Sequence, residues 1–176
     1  MHSNSGDRSN CAGNSLIETA IILPILLALV FNGINFGYFW FVALNVAAAP
    51  RVGVQYASQG GAASSSSMPQ TADVQTLVFD NLTRTLRATT SNAAIQVCSA
   101  SSSTGVNTST HIAGCDSYGM SYSFPGNVAD PEVPVFVLNR VSVTYTFTPI
   151  ITGGPFTWGL PSQLKLHRQV SMRSLY

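Results

Sequence analysis

The sequence predicts an α+β protein: a long N-terminal transmembrane helix, then a small head in which one helix packs on an antiparallel sheet of about four strands. Three patterns support this prediction. Residues 19–50 contain no Asp, Glu, Lys or Arg, and a helix that spans a bilayer needs about 20 apolar residues. Residues 73–88 place apolar side chains at helical spacing, whereas residues 141–148 alternate apolar and polar side chains as a half-buried strand does.

The composition fits one head on one stalk and argues against a nucleic-acid-binding surface. Charged residues make up 9% of the 176 residues, and the formal net charge is +1. Lys165, Arg168 and Arg173 are scattered rather than clustered, so no basic patch suited to phosphate groups is formed. We divide the chain into a leader at 1–13, a hydrophobic transmembrane and assembly helix at 14–58, a Gly/Ser linker at 59–70 and an extracytoplasmic head at 71–176.

Two ordinary export signals do not fit the apolar run. A secretory signal peptide has an apolar core of only about 7 to 15 residues before a cleavage site of small residues. The small residues Ala47 to Ala49 lie far downstream of such a core and are followed by Pro50. A lipoprotein signal needs its cysteine after the apolar core, but Cys11 precedes it.

A third class of export signal, which is cut before the apolar run, fits the residues around Gly13. A short polar leader ends in Gly13, and if Asn14 is the first mature residue then Glu18 is the fifth. This arrangement resembles the type IV prepilin signature. Cleavage would create an ammonium group at Asn14 that can neutralise a carboxylate in the apolar layer, where an isolated charge is costly. Alternatively, Glu18 is a juxtamembrane carboxylate favoured by the dipole at the helix N-terminus.

The rest of the segment resembles a narrower family. The matching residues, in order, are Glu18, Leu23, Pro24, Gly33, Gly37, Ala49, Arg51, Gly53, Tyr56 and Ala57. This string is similar to that of the TadE/TadG-like pseudopilins of tight-adherence (Flp) pilus systems, which are type IV pilin-like. The alternating strand from Val141 and the closing Met172 and Arg173 also resemble the family, whereas Asn35, Tyr38 and Pro50 depart from its pattern.

Four residues in the middle of the run are predicted to form a helix-packing surface: Gly33, Gly37, Asn32 and Asn35. Glycines one turn apart allow another helix to approach closely in lipid, and the two amides would seek partners across such an interface. The alternative is that the glycines only loosen a single anchor. Pro24 is predicted to kink the helix, and so is Pro50 unless the helix ends or restarts there.

Cys98 and Cys115 are predicted to form a disulfide. It would close a loop of about 17 residues, contribute roughly 3 kcal/mol in the loop-entropy model, and require an oxidising compartment such as a periplasm. Free thiols are one alternative. A zinc site that includes His111 is another, although this set lacks a Cys-x-x-Cys pair and a fourth ligand.

The pattern of the head predicts one helix and four strands, in the order helix 73–88, then strands 94–99, 118–124, 141–148 and 164–172. The fourth strand contains Arg168 on its apolar face and is therefore expected at an edge. The last two strands are predicted to form a hairpin whose loop presents Phe156 and Trp158. That loop could dock on another subunit or on the membrane surface, or it could fold back over the sheet.

The sequence contains no catalytic motif. Its histidines are His2, His111 and His167, and the phosphate-binding loop, the zinc-binding helix and the nucleophile elbow are all missing. We therefore expect no enzymatic activity, no metal, no cofactor, no small-molecule substrate and no nucleic acid.

The family resemblance implies a minor pseudopilin that primes or caps a Tad/Flp-type pilus. It would be a single-pass protein of the inner membrane, with its C-terminal head in the periplasm. It would also be associated with the pilus at the cell surface. Its expected partners are prepilin peptidase, which would cut between Gly13 and Asn14, and other pilin or pseudopilin subunits. The alternatives are a bitopic envelope protein with a partner-binding head and a principal subunit of a pilin-like filament.

Overall fold

The computed structural model describes residues 10–59, 68–107, 109–110, 112–126, 136–152 and 161–175. Its helices are α1 (Asn10–Ser58) and α2 (Thr71–Leu86). Its strands are β1 (Ala93–Cys98), β2 (Val106–Asn107), β3 (Ile112–Ala113), β4 (Cys115–Gly119), β5 (Phe136–Phe147) and β6 (Leu164–Leu175). A long N-terminal helix, a second helix and a four-stranded antiparallel sheet confirm the predicted α+β class.

The chain divides into two compact units. The first comprises Met1–Tyr38 and Pro149–Ser162, and the second comprises Phe39–Thr148 and Gln163–Tyr176. The boundary within α1 therefore falls after Tyr38, so the single apolar run contributes to both units. The predicted linker residues 60–67 lie outside the described residues, as do His111, Phe156 and Trp158.

In the first unit, α1 exposes apolar side chains in every direction around its axis. The exposed residues include Leu16, Ile17, Ile21, Ile22, Leu23, Ile25, Leu26, Leu29, Val30, Ile34 and Phe36. The helix is continuous through Pro24, one of the two residues predicted to kink it. A helix that is apolar all round belongs either in a protein core or in lipid, and the most apolar stretch of this helix is not buried within the chain.

In the second unit, α1 packs against α2 and the sheet along one side. The buried residues on that side are Val42, Val46, Ala49, Val54 and Ala57. The ring of Phe39 meets the edge of Phe147 at a centroid distance of 5.4 Å. Gly53 comes so close to α2 and β5 that an added Cβ would lie 2.5 Å from Cγ2 of Val78 and 3.3 Å from Cγ1 of Val141.

Helix α2 lies two residues earlier in the chain than the predicted 73–88, and the predicted apolar stripe is its buried side. That side consists of Val74, Val78, Leu82 and Leu86, with Thr71 at its start. The helix ends because Arg87 adopts a left-handed conformation (φ 53°), and the N–H groups of Arg87 and Ala88 donate back to the carbonyls of Thr83 and Leu82, respectively. Such a terminus is a common way to satisfy the last carbonyls of a helix.

The sheet has the strand order β4-β1-β5-β6, and every neighbouring pair is antiparallel. β5 and β6 pair over their full lengths, from Phe136 with Leu175 to Phe147 with Leu164, which confirms the predicted hairpin and the edge position of the last strand. The predicted strand at 118–124 is misplaced, because β4 ends at Gly119. The strand register places Cys115 opposite Cys98. The strand ends at Gly119, whose φ is +100°.

The central strand β5 is buried on both faces. Val141, Val143 and Phe147 face the helices, and Tyr145 donates from its hydroxyl to the carbonyl of Leu86 at 3.2 Å. The opposite face of β5 is polar and consists of Arg140, Ser142 and Thr144, all buried. The two terminal nitrogens of Arg140 donate at 2.9 Å to the carbonyls of Pro125 and Gly126, so the segment after β4 covers this face.

Candidate functional site

The predicted cleavage site and its carboxylate lie in the first turns of α1. The backbone is already helical at Gly13 and Asn14, since the helix begins at Asn10. Glu18 is exposed on that helix, one turn beyond the predicted new N-terminus. Glu18 therefore lies between the predicted cleavage site and the uncharged run 19–50.

The two glycines of the predicted packing surface face open space. A Cβ added to Gly33 or to Gly37 would meet nothing within 4 Å. Leu26 and Val30 are also exposed. Val30 follows Leu26 by four residues, Gly33 follows Val30 by three, and Gly37 follows Gly33 by four. Spacings of four and three residues keep side chains on one side of a helix, so these four residues form one continuous open face, here called the glycine face.

The two amides near the glycine face have partners within the chain. Nδ2 of Asn32 donates to the carbonyl of Ala28 at 2.8 Å, one turn back along α1. The amide of Asn35 pairs with the backbone of Ile151: its Nδ2 donates to the Ile151 carbonyl at 3.0 Å, and the Ile151 N–H donates to its Oδ1 at 3.1 Å. The amide of Asn35 therefore faces the connection between β5 and β6. Neither Asn32 nor Asn35 belongs to the glycine face.

The C-terminal part of the family string serves the head. Ala49, Gly53 and Ala57 recur every four residues and are all buried in the second unit, whereas Arg51 and Tyr56 are exposed. Small residues at this spacing allow a helix to lie close against its neighbours. Sequence reasoning noted these residues only as a family pattern, although a glycine placed between two alanines at this interval is a signal of close packing.

The other side of this part of α1 is also apolar. Trp40 is 66% exposed and Leu44 is 63% exposed, and Phe41 and Val52 are exposed as well. These side chains lie outside the core of the second unit. A row of large exposed apolar residues marks a surface that another protein or a membrane covers.

The structure joins Cys98 to Cys115 by a disulfide across the ends of the neighbouring strands β1 and β4. Among the described residues, no group of His, Cys, Asp and Glu could hold a metal ion. The intervening loop includes the small β2–β3 hairpin, which is not among the four strands that the sequence predicted. The disulfide joins the two ends of that loop and thereby fixes the position at which β4 starts.

Asp116, the residue after Cys115, ties three elements together. Its Oδ2 accepts from Oγ1 of Thr71 at 2.6 Å and from the N–H of Ser103 at 2.9 Å, and its Oδ1 accepts from Oγ of Ser103 at 2.5 Å. Burial raises the pKa of this carboxyl, but the hydrogen bonds from Ser103 and Thr71 outweigh burial and hold the pKa below its ordinary value. The carboxylate therefore fastens the start of α2 and the disulfide loop to β4.

His167 belongs to the packing of the head. Its ring stacks on Tyr122 at a centroid distance of 6.0 Å and lies 6.1 Å from the ring of Phe124. Burial, assisted by the positive charges of Arg140 and Arg168, lowers the pKa of this imidazole. The imidazole meets these two rings because the segment after β4, which contains Tyr122 and Phe124, crosses this face of the sheet.

These features define a class of protein. Among the residues that the structure describes, α1 is the one helix whose length and composition suit a membrane crossing, so the fold fits a single-pass membrane protein with an α+β head. A family model described as TadE-like protein matches residues 13–55. This match confirms the predicted resemblance, and the TadE-like family implies a role in a Tad pilus system. No curated protein and no solved structure was found to match the chain.

Proposed function

We propose that this protein is a minor pilin-like subunit that takes part in assembling a Tad pilus, by priming or capping it, through packing of its N-terminal helix. The observation that supports this most is the glycine face. Its four residues lie within the uncharged run 19–50, and in lipid helix association cannot rely on the hydrophobic effect and depends on close packing. Two glycines with open space above them provide that close approach.

The head supports the choice of a minor subunit over a principal one. The principal subunits of Flp pilus systems are usually much smaller than this chain. Here α1 leads into an additional helix and a four-stranded sheet, and the second unit keeps one side of α1 for its own core. A bulky head suits a subunit present in few copies, placed where a filament starts or ends.

Glu18 is proposed to pair with the new N-terminal ammonium that cleavage after Gly13 would create, either its own or that of a neighbouring subunit. An unpaired carboxylate at the end of the apolar stretch is unfavourable in lipid, and pairing with an amine removes much of this cost. Prepilin peptidase is the proposed enzyme for that cut. The chain itself is proposed to act by packing and not by catalysis.

The Cys98–Cys115 disulfide supports a periplasmic head. Structural disulfides form and persist in oxidising compartments, and this bond ties two neighbouring strands of the sheet. Together with the family match, the bond favours an orientation in which α1 crosses the inner membrane from a cytoplasmic leader to a periplasmic head.

The test enlarges the glycine face in a strain that assembles Tad pili only when this protein is supplied. Gly33→Leu combined with Gly37→Leu should reduce pilus number and copurification of other pilus subunits by about tenfold, which corresponds to about 1.4 kcal/mol of lost packing energy. Ala20→Leu is the matched control, because Ala20 is exposed on the same helix but lies roughly 100° or more around its axis from either glycine.

Immunoblots of membrane fractions should show equal amounts of both variants and the unmodified protein. Normal piliation and copurification in the Gly33/Gly37 double variant would show that the face is not used for assembly. An equal loss in Ala20→Leu would show that any enlargement of the helix is harmful, which also contradicts the proposal.

A further inference from the structure

The connection between β5 and β6 is fastened to the membrane-crossing part of α1. Pro149–Ser162 belongs to the same compact unit as residues 1–38. Both backbone polar groups of Ile151 are bonded to the side-chain amide of Asn35, which is only 1% exposed. The carboxamide thus provides the two hydrogen bonds that a neighbouring strand would provide to a backbone in a sheet.

The position of Asn35 along α1 sets the level at which this contact lies. Seventeen steps of about 1.5 Å separate Asn35 from Glu18, so the two polar residues are about 26 Å apart along the helix axis. The hydrocarbon core of a bilayer is about 30 Å thick. If Glu18 marks one boundary of that layer, Asn35 and the attached Ile151 lie at the other.

Irregular backbone is tolerated at that depth only when its polar groups are satisfied, since lipid offers no hydrogen-bond partners. The paired bonds between Asn35 and Ile151 meet this requirement, and a loop in water would not need them. The preceding residue, Ile150, is 61% exposed. No charged residue occurs between Arg140 and Lys165, so nothing in this stretch of sequence opposes contact with lipid.

From these observations we infer that the segment Pro149–Thr152, here called the Ile150 loop, docks on the lipid surface beside the point where α1 leaves the bilayer. Ile150 enters the interfacial layer, and Asn35 holds the loop at that level. The occupant of this surface is lipid, not another subunit. The inference rests on the proposed membrane crossing of α1.

The test measures the depth of spin labels on single cysteines in the full chain. A Cys11→Ser background leaves Cys98 and Cys115 in their disulfide under non-reducing conditions. Labels are placed at Ile150, at Leu29 on the exposed apolar part of α1, and at the exposed turn residue Thr90 of the head. The protein is reconstituted at low density into vesicles of phosphatidylethanolamine and phosphatidylglycerol, and collisions with oxygen and with a water-soluble nickel complex are compared.

The label at Ile150 should collide with the nickel complex roughly tenfold less often than the label at Thr90, because the polar complex is excluded from the apolar layer. The label at Leu29 should be the most oxygen-accessible. Equal nickel access at Ile150 and Thr90, with Leu29 in lipid, would overturn the docking of the loop and leave the membrane crossing intact. Nickel access at Leu29 as well would overturn the crossing and the inference together.

Two further results separate lipid from other occupants and test the role of Asn35. Protection of Ile150 that develops only when the protein-to-lipid ratio is raised would assign the loop to contact between copies and overturn the lipid assignment. Asn35→Ala should restore nickel access at Ile150 severalfold, whereas Asn32→Ala, which removes an amide that donates within α1, should not. Equal effects of the two substitutions would show that Asn35 does not hold the loop.

Discussion

The packing of α1 on the head makes a sharp prediction at Gly53. Alanine stabilises an exposed helix position by about 1 kcal/mol relative to glycine, so propensity alone predicts that Gly53→Ala increases stability. The structure predicts the opposite. The new Cβ would lie 2.5 Å from Cγ2 of Val78 and within 3.5 Å of both γ-carbons of Val141.

The neighbouring side chains cannot easily move away. Val78 and Val141 are fully buried, and branching at Cβ restricts valine to few rotamers. Forcing extra carbon into a packed core costs about 1–3 kcal/mol. Once the propensity gain is subtracted, Gly53→Ala should lower the free energy of unfolding by up to about 2 kcal/mol, which is a decrease in Tm of up to about 8 °C for a chain of this size.

The assay is thermal and urea unfolding of the full chain in detergent micelles, followed by near-ultraviolet circular dichroism. Ala48→Gly serves as the internal reference, because Ala48 is exposed on the same part of α1 and its substitution measures helix propensity alone. If Gly53→Ala stabilises the head by as much as Ala48→Gly destabilises it, no obstruction exists at Gly53. The packing of α1 against α2 and β5 would then be refuted.

Four further predictions concern the disulfide, Asp116 and the N-terminus. Replacing Cys98 and Cys115 by serine should destabilise the head by roughly 3 kcal/mol; equal unfolding midpoints of the variant and the oxidised protein would contradict this. The pKa of Asp116 is held below its ordinary value in the folded head. Its carboxylate therefore stabilises the head above the unfolded-state pKa of about 3.9, and this stabilisation is lost as pH falls through the folded-state pKa. Asp116→Asn should therefore lower stability at neutral pH and flatten the acid limb of a stability-against-pH curve, whereas an unchanged limb would exclude Asp116 as its source. Mass spectrometry of the mature protein should find an N-terminus at Asn14, and an intact Met1 or a start at Pro50 would contradict the prepilin assignment. Glu18→Ala should leave membrane insertion intact while decreasing assembly severalfold, scored by membrane fractionation and pilus counts, and normal assembly would limit Glu18 to an interfacial role.

Patterns within single elements predicted most of the fold. The uncharged run predicted α1, and the helical stripe from Val74 to Leu86 predicted α2. Alternation of apolar and polar residues predicted β5 and, with one interruption at Arg168, β6. Each of these signals is local, since the residues that carry it lie within one helix or strand. Such signals survive without knowledge of what the element packs against.

The errors arose where a distant contact decides the structure. The strand predicted at 118–124 starts earlier because a bond to Cys98 fixes Cys115, and no residue within that stretch signals this. Likewise, Asn35 was assigned to an interface between helices, but its partner is the backbone of Ile151. A carboxamide can pair with any peptide group, so its sequence position shows only that it needs a partner.

The long apolar run hides a division that composition cannot reveal. Up to Tyr38, the exposed sides of α1 are mainly apolar, as lipid requires, and the amides of Asn32 and Asn35 are hydrogen-bonded within the chain. Beyond it, the helix is apolar on one side because the head covers that side, and on the other side through Trp40 and Leu44. Both arrangements read as an uninterrupted stretch without charge, although one side of the second is buried against protein.

Three of the four glycines of α1, namely Gly33, Gly37 and Gly53, have opposite roles in this helix. Gly53 has no space above it, because the head already occupies that position, whereas Gly33 and Gly37 have only open space. The space beside Gly53 is filled by neighbouring side chains, so this glycine permits a contact that forms when the chain folds. An open glycine in an apolar helix loses conformational entropy on folding and gains no packing within the chain. A second helix packed on that face would compensate for this loss, and such packing is what the proposed role in assembly predicts.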